Sequence, residues 1–345
     1  MKKSKKLEKG DKIGLIAPAS KQFTKKEPSK VMERTIKFFE EEMKLKTELS
    51  KNFKGSFGYL SGTIEERVSD INDFFRRDDV KAISCMGGGH NSNSLLPHLD
   101  YDMIRENPKP FFGTSDATAL NMAITKKSKI VTYLGTQRGI KRGRGIDYSK
   151  KYLKKAVFSS EPIGKIEEPE EIAKDGKSVY RGGNGLVWIY EKENPSEQKE
   201  RRYIKKYEKI RGGKAEGVTK GGYFDLLTFL AGTEYMPNFE DSIMLLDDMG
   251  YSSSYVESRL EKMDQLGILE KINGMIYARP CYMTIRDEDR TFKHVLKEYA
   301  DKWDYPVFIG PDFGHSYPRL TVPIGVKARM NADKKLFELI ESGVY

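Results

Sequence analysis

Through its first ~150 residues the chain alternates short apolar, strand-like segments with amphipathic helical ones, and few folds accommodate that alternation. "DKIGLIAPAS" (11–20) reads as a strand. "KVMERTIKFFEEEM" (30–43) sets Val31, Ile36, Phe38, Phe39 and Met43 at helical spacing. "TIEERVSDINDFFRR" opens with Thr63 and, three residues on, Glu66, the pattern of a capping box, and continues as an amphipathic helix. "VKAISCM" is a buried strand that ends in Gly87, Gly88 and Gly89. "HNSNSLLPHLDYDMI" is a turn and short helix, and "KPFFGTS" is the next strand, running into an Ala-rich helix. The expectation is a layered α/β domain over residues 1–160 with a mostly parallel sheet.

Composition then changes. "EEPEEIAKDGKS" and "EKENPSEQKERRYIKKYEKI" are highly charged and weakly periodic, so residues 161–211 read as a charged connector with at most short helices. Apolar segments return beyond it. "DSIMLLDDMG" is a strand ending in acids, "SSSYVESRLEKMDQLG" a helix, and "KINGMIYARP" and "YPVFIGPDFGH" strands. Residues 212–345 therefore read as a smaller C-terminal domain, mixed α/β and rich in strands.

The 345 residues suffice for two cores, and 38% hydrophobic with 32% charged residues excludes a disordered or fibrous chain. No apolar run approaches the ~20 residues that span a bilayer, so no membrane partner is expected. The basic N-terminus is followed only by the short "IGLIAPAS", which reads as a strand rather than a signal peptide. Cys85 and Cys281, the only two cysteines, lie far apart and outside any metal-type spacing, which points to a reduced cytoplasm and to no metal or cofactor.

The net charge of +10 is concentrated in two places: residues 1–12 carry a net +4 and residues 138–155, "RGIKRGRGIDYSKKYLKK", a net +7. A solvated basic surface explains this, and so does attraction of an anionic ligand. Aromatic residues for base stacking are sparse there, with only Tyr148 and Tyr152, so nucleic acid is not the expected partner.

Chemistry gathers at Gly113-Thr114-Ser115-Asp116-Ala117, where a strand runs straight into a helix. Small residues two before and two after Ser115 relieve crowding in a tight turn and present the hydroxyl at the strand's C-terminal edge. The free N–H groups and positive dipole end of the helix would then face any developing oxyanion. This is the logic of the G-x-S-x-G nucleophile elbow in the looser form G-x-S-x-A, although an ordinary serine helix cap fits the same residues. A serine nucleophile needs a base, and the chain offers His90, His98, His294 and His315. His294 lies in a helix and His98 in a polar turn. His90 follows the glycine run and could touch a ligand, whereas His315 sits in a Gly- and Pro-rich loop after an apolar strand, where catalytic groups are often carried. The orienting carboxylate would come from Asp247 or Asp248 at the end of "SIMLLDD". The run from Gly87 to Gly89 suits an oxyanion hole, and equally a phosphate site or a plain turn.

The order of "GGGHNSNSLLPHLDYD", "FFGTSDATAL", "GKAEGVTKGGYFDLLTFLAGTEYMPNFEDSIMLLDDMG" and "FGHSYPRLTVPIG" resembles the LD-carboxypeptidase and microcin C resistance (MccF-like) family of serine peptidases. The resemblance spans nearly the whole chain outside the connector, and the glycine-run segment is more similar to the microcin-resistance branch. It implies a cytoplasmic two-domain hydrolase, commonly a homodimer, with a serine–histidine–carboxylate triad matching Ser115, His315 and Asp247. It implies an oxyanion hole from the N–H groups of Gly88 and Asp116. Two positions depart from the pattern: Asp247 stands for the family's glutamate, and Tyr223 follows Gly221 and Gly222 where asparagine is usual. The tyrosine implies an altered substrate pocket. Trp188 corresponds to a substrate-facing tryptophan of that branch, with burial between domains as the competing role. The implied substrate is a peptide or aminoacyl-nucleotide; cleavage of a murein L,D-amide and ligand sequestration without catalysis are the alternatives.

Overall fold

The computed structural model describes residues 1–22, 30–135, 145–169, 186–190, 198–203, 206–250, 252–285 and 288–345. Helix-linked strands dictate the first sheet, because a chain that crosses a face before re-entering comes back in the same direction. Its six strands lie in the order Val322–Ile324, Thr132–Leu134, Phe111–Phe112, Val80–Cys85, Lys12–Ile16 and Lys46–Leu49. All neighbours are parallel except Val322–Ile324, which returns from the far end of the chain and pairs antiparallel.

The helix Ile64–Arg76 forms where the sequence places it. Glu66 N–H donates to Thr63 Oγ1 at 3.3 Å and Thr63 N–H donates to Glu66 Oε2 at 2.9 Å, a reciprocal cap of about 1 kcal/mol. Its inner face buries Val68, Ile71, Phe74 and Phe75, each contributing about 1.5–3 kcal/mol. Phe74 comes so close to the first strand that a Cβ on Gly14 would stand 2.4 Å from the ring.

The second sheet has eight strands, in the order Gly164–Lys165, Leu336–Leu339, Lys327–Asn331, Lys214–Tyr223, Ser242–Asp247, Ile272–Ala278, Val307–Gly310 and Glu208–Arg211. The central four are parallel and the flanking strands antiparallel. A third, small sheet joins Tyr282–Ile285, Leu186–Tyr190 and Gln198–Tyr203. Four of these strands fall in the stretch expected to be a connector with at most short helices. Two of them, Gly164–Lys165 and Glu208–Arg211, are edge strands of the second sheet. An edge strand has one neighbour and tolerates charge, so its hydropathy carries no strand signal.

The helix Thr118–Lys127 packs on Thr132–Leu134 of the first sheet and on Lys214–Tyr223 of the second, which explains why Thr118 through Thr125 are all buried. It bridges the two cores. The strand order of the first sheet reverses at Lys12–Ile16, and the loops beyond the carboxyl ends of parallel strands diverge at such a point to leave a crevice.

Candidate active site

The amino end of that bridging helix carries Ser115. Its backbone adopts φ +61°, a left-handed conformation that costs a non-glycine residue about 1–3 kcal/mol. The turn must be tight. A Cβ on Gly113 would lie 2.7 Å from Asn121 Oδ1 and 2.9 Å from the Ala117 carbonyl, and Ala117 is itself fully buried. The small residues on either side of Ser115 are thus steric requirements of the turn, and the strain they permit leaves the hydroxyl in a cleft of about 770 Å³.

The glycine run beyond Val80–Cys85 reaches the same place. A Cβ on Gly88 would stand 2.6 Å from Ser115 Oγ and 3.2 Å from the Asp116 nitrogen, so only glycine allows this backbone to approach the hydroxyl. His90 lines the cleft, exposed, with its ring edge-on to Tyr59 at 6.5 Å.

From the second sheet, the loop after Val307–Gly310 brings His315 to the cleft, where it is 4% exposed. Both oxygens of the buried Asp247 carboxylate hold it: His315 Nδ1 donates to Oδ2 at 2.6 Å and His315 N–H donates to Oδ1 at 3.1 Å. A carboxylate only accepts, which assigns the proton to Nδ1 and leaves Nε2 as the free acceptor of the neutral ring. Gly314 is obligatory here, because a Cβ on it would stand 1.8 Å from Asp247 Cγ. Asp248, the next residue, accepts from the Tyr277 hydroxyl instead, and burial pushes its carboxyl up to about 7.

Tyr223 pairs with Asp247 across the two parallel strands and lays its ring against His315, centroids 5.0 Å apart at 62°. Its N–H donates to Thr118 Oγ1 at 3.0 Å, tying the second sheet to the helix behind Ser115. Its hydroxyl donates to Asp225 Oδ2 at 3.2 Å, and Asp225 accepts from Arg259 Nε at 2.6 Å.

Ser115, Asp116, Gly88, His90, Tyr223 and His315 therefore meet at one cleft, with Asp247 behind the histidine. His294 is exposed and accepts from its own helix cap, Thr291 N–H, at 3.0 Å; His98 is exposed on a second cavity. Trp188 belongs to the strand Leu186–Tyr190, but its side chain lies outside the described residues, as do residues 138–144 of the basic stretch. Ser92, which bonds twice to Asp116, escaped the sequence reading because nothing distinguishes it there from Ser94.

Residues 13–135 match the LD-carboxypeptidase N-terminal domain and residues 216–330 match the LD-carboxypeptidase C-terminal domain. The chain belongs to the LD-carboxypeptidase family. It is a serine peptidase, with relatives named as carboxypeptidases. It is 30% identical to the probable murein peptide carboxypeptidase of Bacillus subtilis, over 99% of this chain and 95% of that one. It is 31% identical to the microcin C7 self-immunity protein MccF of Escherichia coli, over 82% of this chain and 80% of that protein. A structure of MccF in complex with glutamyl sulfamoyl guanosine superposes with a TM-score of 0.85 at 27% identity, covering 99% of both chains. The α/β fold with two sheets is the MccF fold.

Proposed function

We propose that this LD-carboxypeptidase family member hydrolyses an amide-like bond by acyl transfer, with Ser115 as nucleophile, His315 as base and Asp247 as its orienting acid. The observation that carries the proposal is the two-point grip of Asp247 on His315, at a cleft shared with the strained Ser115. Ser115 Oγ attacks the acyl carbon while His315 Nε2 takes its proton. The imidazolium that forms is stabilised by Asp247 and gives the proton to the leaving nitrogen; water then repeats the sequence on the acyl-enzyme. Charge on the tetrahedral oxygen is met by the N–H groups of Gly88 and Asp116.

The substrate proposed is an aminoacyl- or peptidyl-nucleotide, with Tyr223, His90 and Trp188 as binding residues. Support comes from the likeness to MccF, one of whose structures holds glutamyl sulfamoyl guanosine. A murein L,D-amide is the second reading, supported by the Bacillus subtilis relative named for murein peptides. The test is a side-by-side assay on glutamyl sulfamoyl adenosine and a murein tetrapeptide. Release of glutamate with kcat/KM at least tenfold above that for the tetrapeptide is expected. The reverse preference would transfer the protein to the second reading.

A further inference from the structure

The proposed oxyanion hole draws its two donors from different strand ends, so its width depends on whatever joins them. Ser92 joins them. Its N–H donates to Asp116 Oδ2 at 2.8 Å and its hydroxyl donates to the Asp116 carbonyl at 2.6 Å. Ser92 is fully buried and Asp116 is 3% exposed, so neither bond competes with water. The other side of this connection is equally fixed. Asn91, at φ +68°, turns the chain sharply between the glycine run and Ser92. Its carbonyl accepts from Arg67 Nη1 at 3.3 Å, and the same buried guanidinium donates to the carbonyls of Pro18 at 2.8 Å and Gly62 at 3.1 Å. The segment after the glycine run is therefore anchored to the body of the first domain on one side and to the serine turn on the other.

We infer that Ser92 and the Asp116 carboxyl form a latch that sets the separation of the Gly88 and Asp116 N–H groups, making Ser92 a positioning residue for the tetrahedral intermediate. The inference rests on the serine-hydrolase reading above. Fixed donors stabilise an oxyanion only when they already sit where its charge develops, and a displacement on the order of 1 Å costs about 100-fold in rate. The ground-state carbonyl makes less demand on that spacing, so the latch acts on the transition state more than on substrate binding.

The experiment measures kcat, KM and affinity for a boronic-acid analogue of the cleaved acyl group, which mimics the tetrahedral adduct on Ser115. Ser92→Ala should lower kcat about 10- to 100-fold and weaken the boronate by a similar factor, with KM within about threefold of wild type. Ser92→Thr, which keeps the hydroxyl, should restore most of both. Asp116→Ala, which removes only the carboxylate bond and keeps the N–H, should give an intermediate loss. It serves as the second probe if Ser92→Ala does not fold. Burial already raises the Asp116 carboxyl above its usual range, so losing it should leave the fold intact. Full kcat and boronate affinity in Ser92→Ala or Asp116→Ala would overturn the latch, as would a loss confined to thermal stability. Ser115→Ala separates the two levels: if it stays active the hydrolase reading fails, whereas a dead Ser115→Ala beside a fully active Ser92→Ala removes the latch alone.

Discussion

Asp247 is one methylene shorter than the glutamate implied by the family resemblance, and its surroundings have closed on it. The backbone of Gly314 leaves no room for a Cβ beside its carboxylate, and both carboxylate oxygens are spent on His315. Asp247→Asn should therefore cost about four orders of magnitude in kcat, since an amide can favour the wrong imidazole tautomer. Asp247→Glu should cost about 10- to 100-fold rather than restore activity, because the longer side chain must displace the Gly314–His315 backbone. Asp248→Asn should leave kcat nearly unchanged, since that side chain is occupied by Tyr277 on the opposite face of the strand. Its effect is on stability. The buried Asp248 carboxyl is raised from 3.8 to about 7, so between those values the folded chain holds a proton that the unfolded chain releases. Stability from this group is present at low pH and is lost as pH rises through that window. Asp248→Asn should remove the slope and gain about 1–3 kcal/mol relative to wild type on going from pH 5 to pH 8, read from urea unfolding at the two values. The choice between the two acids was not legible in the sequence, which shows only adjacent aspartates; it depends on which face of the strand meets the histidine loop. The tight turn at Ser115 was legible because its steric demand is written in its neighbours, Gly113 and Ala117.

The loop that carries His315 is held by a buried ion pair. Arg279 Nε donates to Asp312 Oδ1 at 2.9 Å, with both side chains almost inaccessible, and the Arg279 carbonyl accepts from Ser316 Oγ at 2.8 Å. Leu320 N–H closes the loop on the Asp312 carbonyl at 2.9 Å. Burial raises the Asp312 carboxyl to about 6 against the pull of Arg279, so the pair survives only as a pair. Arg279→Met should destabilise the protein by about 3–5 kcal/mol, and combining it with Asp312→Leu should recover a large part of that loss, both read by denaturant unfolding. Equal stability of wild type and Arg279→Met would show that the pair does not hold the loop. Elements with a strong local signal were legible: the capped helix Ile64–Arg76, the strand Ser242–Asp247 and the helix Ser253–Gln265 all form where periodicity and capping place them. The strand Gln198–Tyr203 was not, because "QKERRY" is charged and its pairing is set by contacts distant in sequence, whereas Leu186–Tyr190, an apolar run of strand-forming residues, carried a signal that its charged flanks obscured.

At the scale of the whole molecule, the proposed function draws on two mixed sheets whose parallel strands bring their carboxyl ends to one cleft. The first contributes the serine turn and the glycine run, and the second the histidine and its carboxylate. The helix Thr118–Lys127 couples them, packed between both sheets and tied to Tyr223 through Thr118. The α/β class and the two-domain architecture were legible in the order of strand-like and helix-like segments. The return of Val322–Ile324 to the first sheet was not, since a three-residue apolar strand pairs wherever the folded chain delivers it. This shared construction makes one variant more informative than any other. Ser115→Ala deletes a single oxygen at the centre of the cleft and creates no cavity in either core. With the preferred substrate in hand, the measurement is its hydrolysis rate in Ser115→Ala beside its affinity for the same protein. Binding close to wild type with a rate lower by on the order of 10⁴-fold or more is the expected result. A rate near that of the wild-type enzyme would contradict nucleophilic attack by Ser115, and with it the proposed reaction.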